Sequence, residues 1–320
     1  MTVRPLLSCV HRQQWVGCDT VARPGPFCYV ETLYLPAPGW RALECRPLRA
    51  SSCAGRLASL AHLDYLHSRN FVMTVQDVDQ LAWARWMLGH QAAFVTWRLI
   101  SEALVEMLRS GWWQPEHMTR VRQLFEIHSI LFMYAGSCSD AVYSKTIRPA
   151  MVRHHPAFTG RWARDRMSIP SLLRQLHLAG RGMRLGPIDE AVRLNHQVHR
   201  AVAKRLVPHG RSLWQKSGHN SDDESEMALR DGYDCFFATV RAPACADAVL
   251  AQYIRRLSQI RADLCLRGLY PKECPNPVSA FLQRSYRTLG ERLEQEIETV
   301  ICHTAVGLCE MRSMLLDGPS

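Results

Sequence analysis

Apolar residues recur along most of this chain at the three-and-four spacing of a helix buried on one side. The first such run follows Thr74, with apolar positions at 78, 81, 82, 86, 88, 94, 95, 97, 99, 103, 104 and 107. That stripe is wide enough for a helix covered on much of its girth. Thr74 is placed to cap it, Asp77 suits the positive end of its dipole, and Gly111 ends it. Pro115 opens a second helix, in whose first turn proline is tolerated. Its apolar run continues through Val121, Leu124, Phe125, His128 and Phe132. Pro187 starts another, with Asp189 and Glu190 in its first turn and Lys204-Arg205 near its end, an order that complements the macrodipole. A further helix is expected near 246–267. Asn276-Pro277 then opens the longest run, apolar at 278, 281, 282, 286, 289, 293, 297, 300, 301, 305 and 308. Periodicity makes it an amphipathic helix of roughly 30 residues.

The segments between these runs divide the chain. Residues 1–60 are rich in cysteine and proline and read as an irregular arm, in which Phe27 to Tyr34 has the β-branched and aromatic content of a strand. Residues 74–207 form a helical core, broken between 147 and 187 by Pro149, Pro156, Gly160 and Pro170 into short helices and loops. Residues 208–231 carry the acidic run Ser221-Asp222-Asp223-Glu224-Ser225-Glu226 and read as a flexible loop. Residues 232–320 form a helical C-terminal part, in which Tyr233 to Val240 suits helix or strand. The fold class expected is mainly α: an irregular helical core, a short strand-containing N-terminal arm and a long C-terminal helix.

Composition narrows the function classes. The best membrane-spanning candidate, 92–108, is interrupted by Arg98, Glu102 and Glu106, and the apolar start at Met1 is too short for a secretory signal. The twelve cysteines lie too far apart for a disulfide scaffold, so a reducing, intracellular setting is expected. A net charge of +10, dominated by arginine, suits acidic protein partners or nucleic acid. A bias toward arginine codons accounts for the same composition equally well.

Catalytic signatures do not emerge: there is no nucleophile elbow, phosphate loop, HExxH or dinucleotide fingerprint. His196 and His199 lie three apart and His154 adjoins His155, but no CxxC pair accompanies them. The histidines and cysteines therefore read as structural, with no metal and no cofactor expected. Trp83, Trp86 and Trp97 fall at core spacing, whereas Trp112 and Trp113 at a helix end are candidate partner anchors. Arg161, Arg164, Arg181, Arg184, Arg255 and Arg256 are candidate contacts to protein or nucleic acid. Each cluster is equally spaced as an ordinary solvated face. Ser221, followed by acidic residues, is a candidate phosphorylation site.

Sparse anchors in one order carry a family resemblance over residues 106–241. They are Glu106-Met107-Leu108-Arg109, Ile127-His128 with Leu131-Phe132, Arg148-Pro149 and Trp162. Gly186-Pro187-Ile188, Leu194-Asn195-His196, Leu206-Val207 and Gly232-Tyr233 follow, ending at Arg241. In this order they resemble the alphaherpesvirus alpha trans-inducing factor, a tegument transactivator of viral genes. The resemblance implies a non-enzymatic helical scaffold, located in the virion tegument and in the host nucleus and cytoplasm. Its implied partners are other viral tegument proteins or host transcription factors, with nucleic acid as the alternative. The family's acidic-His-x-Tyr element, the arginine-rich segment after it and its acidic tail have no counterpart here, so no family binding residue carries over.

Overall fold

The computed structural model describes residues 30–39, 77–110, 115–180, 185–207, 210–218, 225–270, 277–301 and 303–304. The fold is mainly α-helical, with two short strands among the described residues. Its axis is α1 (Val78–Ser110), a 33-residue helix buried around most of its girth. α2 (Pro115–Ala135) returns along it. Gly89 makes that close approach possible: a Cβ there would stand 2.8 Å from the Cβ of Ala135 and 3.3 Å from the Leu131 carbonyl oxygen. After α2 the chain passes through a π-helical turn (Tyr143–Ile147) into α3 (Arg148–His154). Two 3-10 turns, at Gly160–Trp162 and Arg164–Arg166, lead to α4 (Ile169–Ala179). α5 (Gly186–Leu206) packs on α2, with Gly136 leaving room for Val202, and α4 packs on α1.

The C-terminal half closes the other side. α6 (Leu213–Ser217) and α7 (Glu226–Phe236) precede strand β2 (Thr239–Arg241), and α8 (Ala246–Arg267) lies against α1. β2 pairs in parallel with β1 (Leu33–Leu35), Leu33 opposite Thr239 and Leu35 opposite Arg241. The free edge of β1 is closed by one side chain. Gln252 of α8 accepts from Tyr34 N at 2.8 Å and donates to Tyr34 O at 2.9 Å, satisfying backbone groups that a two-stranded sheet leaves open.

Buried charge ties these layers together. Arg85, 1% exposed, donates to Asp263 at 2.6 Å, to Ser137 Oγ at 2.9 Å and to the carbonyls of Leu269 and Gly268. Asp263 also accepts from Tyr134 Oη at 3.0 Å. One guanidinium thus fastens α1 to the end of α2 and to the turn after α8.

The structure departs from the periodic reading in three places. The strand expected at 27–34 begins at Leu33, and its earlier residues lie outside the described ones apart from 30–32. The expected cap, Thr74, lies outside the described residues and is no departure; within them Asp77 accepts from Asp79 N at 3.1 Å. The long C-terminal helix is divided into a 3-10 turn (Val278–Phe281), an extended corner at Leu282 and Gln283, α9 (Arg284–Gln295) and, after a bend at Glu296, a further helical stretch from 297 to 301. The corner lets Leu282 fold back onto Gly290, where a Cβ would sit 2.2 Å from Leu282 Cδ1. Glu294 holds it by accepting from Ser279 N at 3.0 Å, Ser279 Oγ at 2.6 Å and Tyr270 Oη at 2.6 Å. Within the stretch read as an acidic loop, α6 carries a full capping box between Ser212 and Gln215, and α7 begins at Glu226.

Candidate functional site

A cavity of about 720 Å³ lies between α1, α2, α5 and the 158–170 segment. Helical spacing builds its walls. α1 contributes Trp86, His90 and Trp97, α2 contributes Phe125, His128 and Phe132, and α5 contributes Asn195, His196, His199 and Ala203. Residues at three- and four-residue intervals share a helix face, so each helix presents one stripe to the same space. Phe158, Tyr233 and Phe237 complete an aromatic floor.

Two nitrogen atoms on this wall have no hydrogen-bond partner among the described residues. Asn195 Nδ2 donates to His128 Nδ1 at 3.0 Å and to Ser129 Oγ at 2.9 Å. With Nδ1 accepting, the proton of neutral His128 sits on Nε2, which is buried and unpaired. The indole Nε1–H of Trp86 is likewise buried without an acceptor. A buried donor without an acceptor costs about 1–3 kcal/mol. His90 is the complement: its Nδ1 donates to the Trp86 carbonyl at 2.7 Å, which leaves Nε2 as an acceptor, and its ring stacks on Phe237 at 4.4 Å.

Burial keeps these imidazoles neutral. Desolvation pushes His90 down to about 4 and His128 down to about 3. His199 falls to about 4, through desolvation and then the charge of Arg166. His196 is lowered for the same two reasons. His196, His199 and Ala203 each keep part of their surface exposed, so this side of α5 forms the mouth.

Charge at the mouth is of one sign. Arg148, Arg161, Arg166 and Lys204 line it, and no aspartate or glutamate is among the described lining residues. Arg161 stacks over the Trp214 ring at 5.5 Å. Arg148 donates to the Arg211 carbonyl at 3.1 Å. The side chains of Arg166 and Lys204 are exposed and make no hydrogen bond or ion pair among the described residues. The wall carrying Arg161 and Arg166 is held rigid from behind. Arg241 grips Asp165 with two hydrogen bonds of 3.0 and 2.7 Å and Asp234 with two of 2.9 and 2.6 Å.

The candidates from sequence fall in different surroundings. Arg161 reaches the cavity mouth. Arg164 pairs with Asp231 and, at 3.1 Å, with Asp234, which fastens its turn to α7. Arg255 pairs with Glu31 at 2.9 Å. Arg256 is 2% exposed and donates to Gln91 Oε1 at 2.9 Å and to the carbonyls of Glu31 and Gln252 at 3.0 Å. It pins the N-terminal arm and has no surface to offer a partner. Trp112, Trp113, Arg181, Arg184 and Ser221 lie outside the described residues. Trp83 and Trp97 are core residues, as their spacing indicates. Trp86, His90, Arg166 and Lys204 were not singled out as site residues, because nothing in a linear spacing shows that several elements converge.

Among the described residues no three His, Cys, Asp or Glu side chains come together closely enough to hold a metal ion. None of the described helices is long and apolar enough to cross a membrane. Cys245 Sγ caps α8 by accepting from Ala248 N at 3.4 Å. No protein-family model matches the chain, and no curated protein matches it.

Proposed function

We propose that the chain is a non-enzymatic scaffold that binds other proteins, a herpesvirus tegument regulator of the trans-inducing-factor type. Its partners are other viral tegument proteins or host transcription factors, and its task is the activation of viral genes in the host nucleus. One observation carries the reading. His128, Phe132, Arg148, Asn195, His196 and Tyr233, all anchors of the resemblance, come from four separate helices yet line one cavity. A wall with aromatic rings below, unpaired donors on its side and cations at its mouth has the composition of a recognition surface.

The nucleic-acid alternative has less support, since Arg164, Arg255 and Arg256 hold partners within the chain. The test is affinity capture of the tagged protein from nuclear extract of infected cells, with nuclease present, read by mass spectrometry. Recovery of tegument proteins or transcription factors in near-equimolar amount, undiminished by nuclease, is the expected result. Loss of every partner on nuclease treatment overturns the scaffold in favour of nucleic-acid binding.

A further inference from the structure

The composition of the cavity narrows the kind of partner, and this inference rests on the scaffold reading above. His196 to Leu206 runs along the mouth on α5, a rise of about 15 Å at 1.5 Å per residue. An extended peptide of about five residues covers that length at about 3.3 Å each. Below the mouth, Trp97, Phe132 and Phe158 offer apolar contact, and Trp86 Nε1–H and His128 Nε2–H are buried donors with no acceptor among the described residues. Around it stand Arg161, Arg166 and Lys204, with no carboxylate among the described lining residues to neutralise them.

We propose that this cavity binds an acidic peptide segment of a partner protein. One aromatic or large aliphatic side chain of that segment enters among Trp97, Phe132 and Phe158, and its carboxylates rest on Arg161, Arg166 and Lys204. A cationic rim around an apolar pocket selects both features together: the charge steers and orients, and the buried anchor supplies most of the affinity. A basic peptide meets like charge on every side. An acidic peptide without an anchor leaves the floor uncovered. The volume, about 720 Å³, accommodates an aromatic side chain with its flanking backbone and is in the usual range for ligand cavities.

The test uses the full chain and a synthetic array of fluorescein-labelled decapeptides, each with four acidic residues around a single Phe, Trp or Leu. Binding is read by fluorescence anisotropy. Matched arms replace the anchor by Ser, replace the acidic residues by Lys, or substitute a single-stranded oligonucleotide of equal charge. The best acidic peptides are expected to bind at least tenfold more tightly than their anchorless and basic counterparts. Ala203→Trp, which fills the mouth from an exposed position, is expected to weaken binding at least tenfold. Lys204→Glu, also exposed, is expected to weaken it about fivefold, and both variants should keep the wild-type circular dichroism.

Equal binding to wild type and to both variants overturns the proposal, as does an array without any tenfold preference. A site that takes the oligonucleotide more tightly, and loses it in Ala203→Trp, is a nucleic-acid site and overturns it too. Failure of the array with partner capture intact removes this inference alone. Failure of both removes the scaffold as well.

Discussion

Mild acid should loosen this fold, because its cavity is lined by histidines that burial holds neutral well below their ordinary titration range. His90 and His128 titrate near 6.5 in an unfolded chain and at about 4 and about 3 in the folded one. Their folded values are depressed, so the unfolded state takes up protons first as the pH falls. The stability they contribute is fully present above 6.5 and is lost progressively below it, down to the folded values. At pH 5.5 the unfolded chain is favoured by about 1.4 kcal/mol per histidine, about 3 kcal/mol for the pair, relative to pH 7.5. That is a large part of a total stability of about 5–15 kcal/mol. Not every group acts in this sense. His177, raised by hydrogen bonds to the Leu173 carbonyl and Asp189, gains stability on acidification. Glu102 and Asp234, both raised by burial, also do so as they protonate. The measurement is equilibrium urea unfolding at pH 7.5, 6.5 and 5.5 at constant ionic strength, followed by tryptophan fluorescence and circular dichroism. With a slope of about 3 kcal/mol per molar, the midpoint should fall by about 1 M across this range. The double variant His90→Gln/His128→Gln should show a clearly smaller fall, whatever its own stability, with His154, His196 and His199 supplying what remains. A wild-type midpoint that stays constant, or an equal fall in the double variant, would refute the reasoning.

Three further outcomes test the packing. Asp263→Ala strands the buried guanidinium of Arg85 and should cost about 3–5 kcal/mol in urea unfolding, whereas loss of an exposed pair costs under about 1 kcal/mol. Gly136→Ala places a Cβ 2.5 Å from Val202 Cγ1 and should destabilise by about 1–3 kcal/mol, with Gly136→Ala/Val202→Ala recovering part of the loss through the space it vacates. Glu294→Ala releases Ser279 and Tyr270 at once, so amide exchange at Ser279 and Leu282 should accelerate by at least tenfold while that of α1 is unchanged.

The regular helices were legible because burial writes itself into the spacing of apolar residues. Pro115 and Pro187 open helices where their missing N–H groups cost nothing, and α8 runs from Ala246 to Arg267, where the periodicity is found. What escaped the spacing was decided by tertiary contact. The apolar stripe beyond Pro277 is continuous in sequence, but the fit of Leu282 against Gly290 and the three bonds to Glu294 favour a corner over an unbroken helix. The Ser212–Gln215 capping box has a sequence signature of its own, masked there by the polar run that follows. Arg255 and Arg256 are neighbours in sequence and opposite in fate, because on a helix successive residues point about 100° apart. One meets Glu31 at the surface, and the other is sealed beneath the arm. The cavity was the least legible feature. His128, Arg148 and Asn195 were visible as anchors of a resemblance, but their common wall and the cations gathered at its mouth exist only after folding.

Whether partners enter through this cavity is best decided by quantitative capture from nuclease-treated nuclear extract, with wild-type and Ala203→Trp protein side by side. The account predicts that at least one abundant protein partner is retained by wild type and reduced tenfold or more by the filled mouth, with both proteins equally folded. Equal recovery of every partner by the two would contradict it and move the binding surface elsewhere on the molecule.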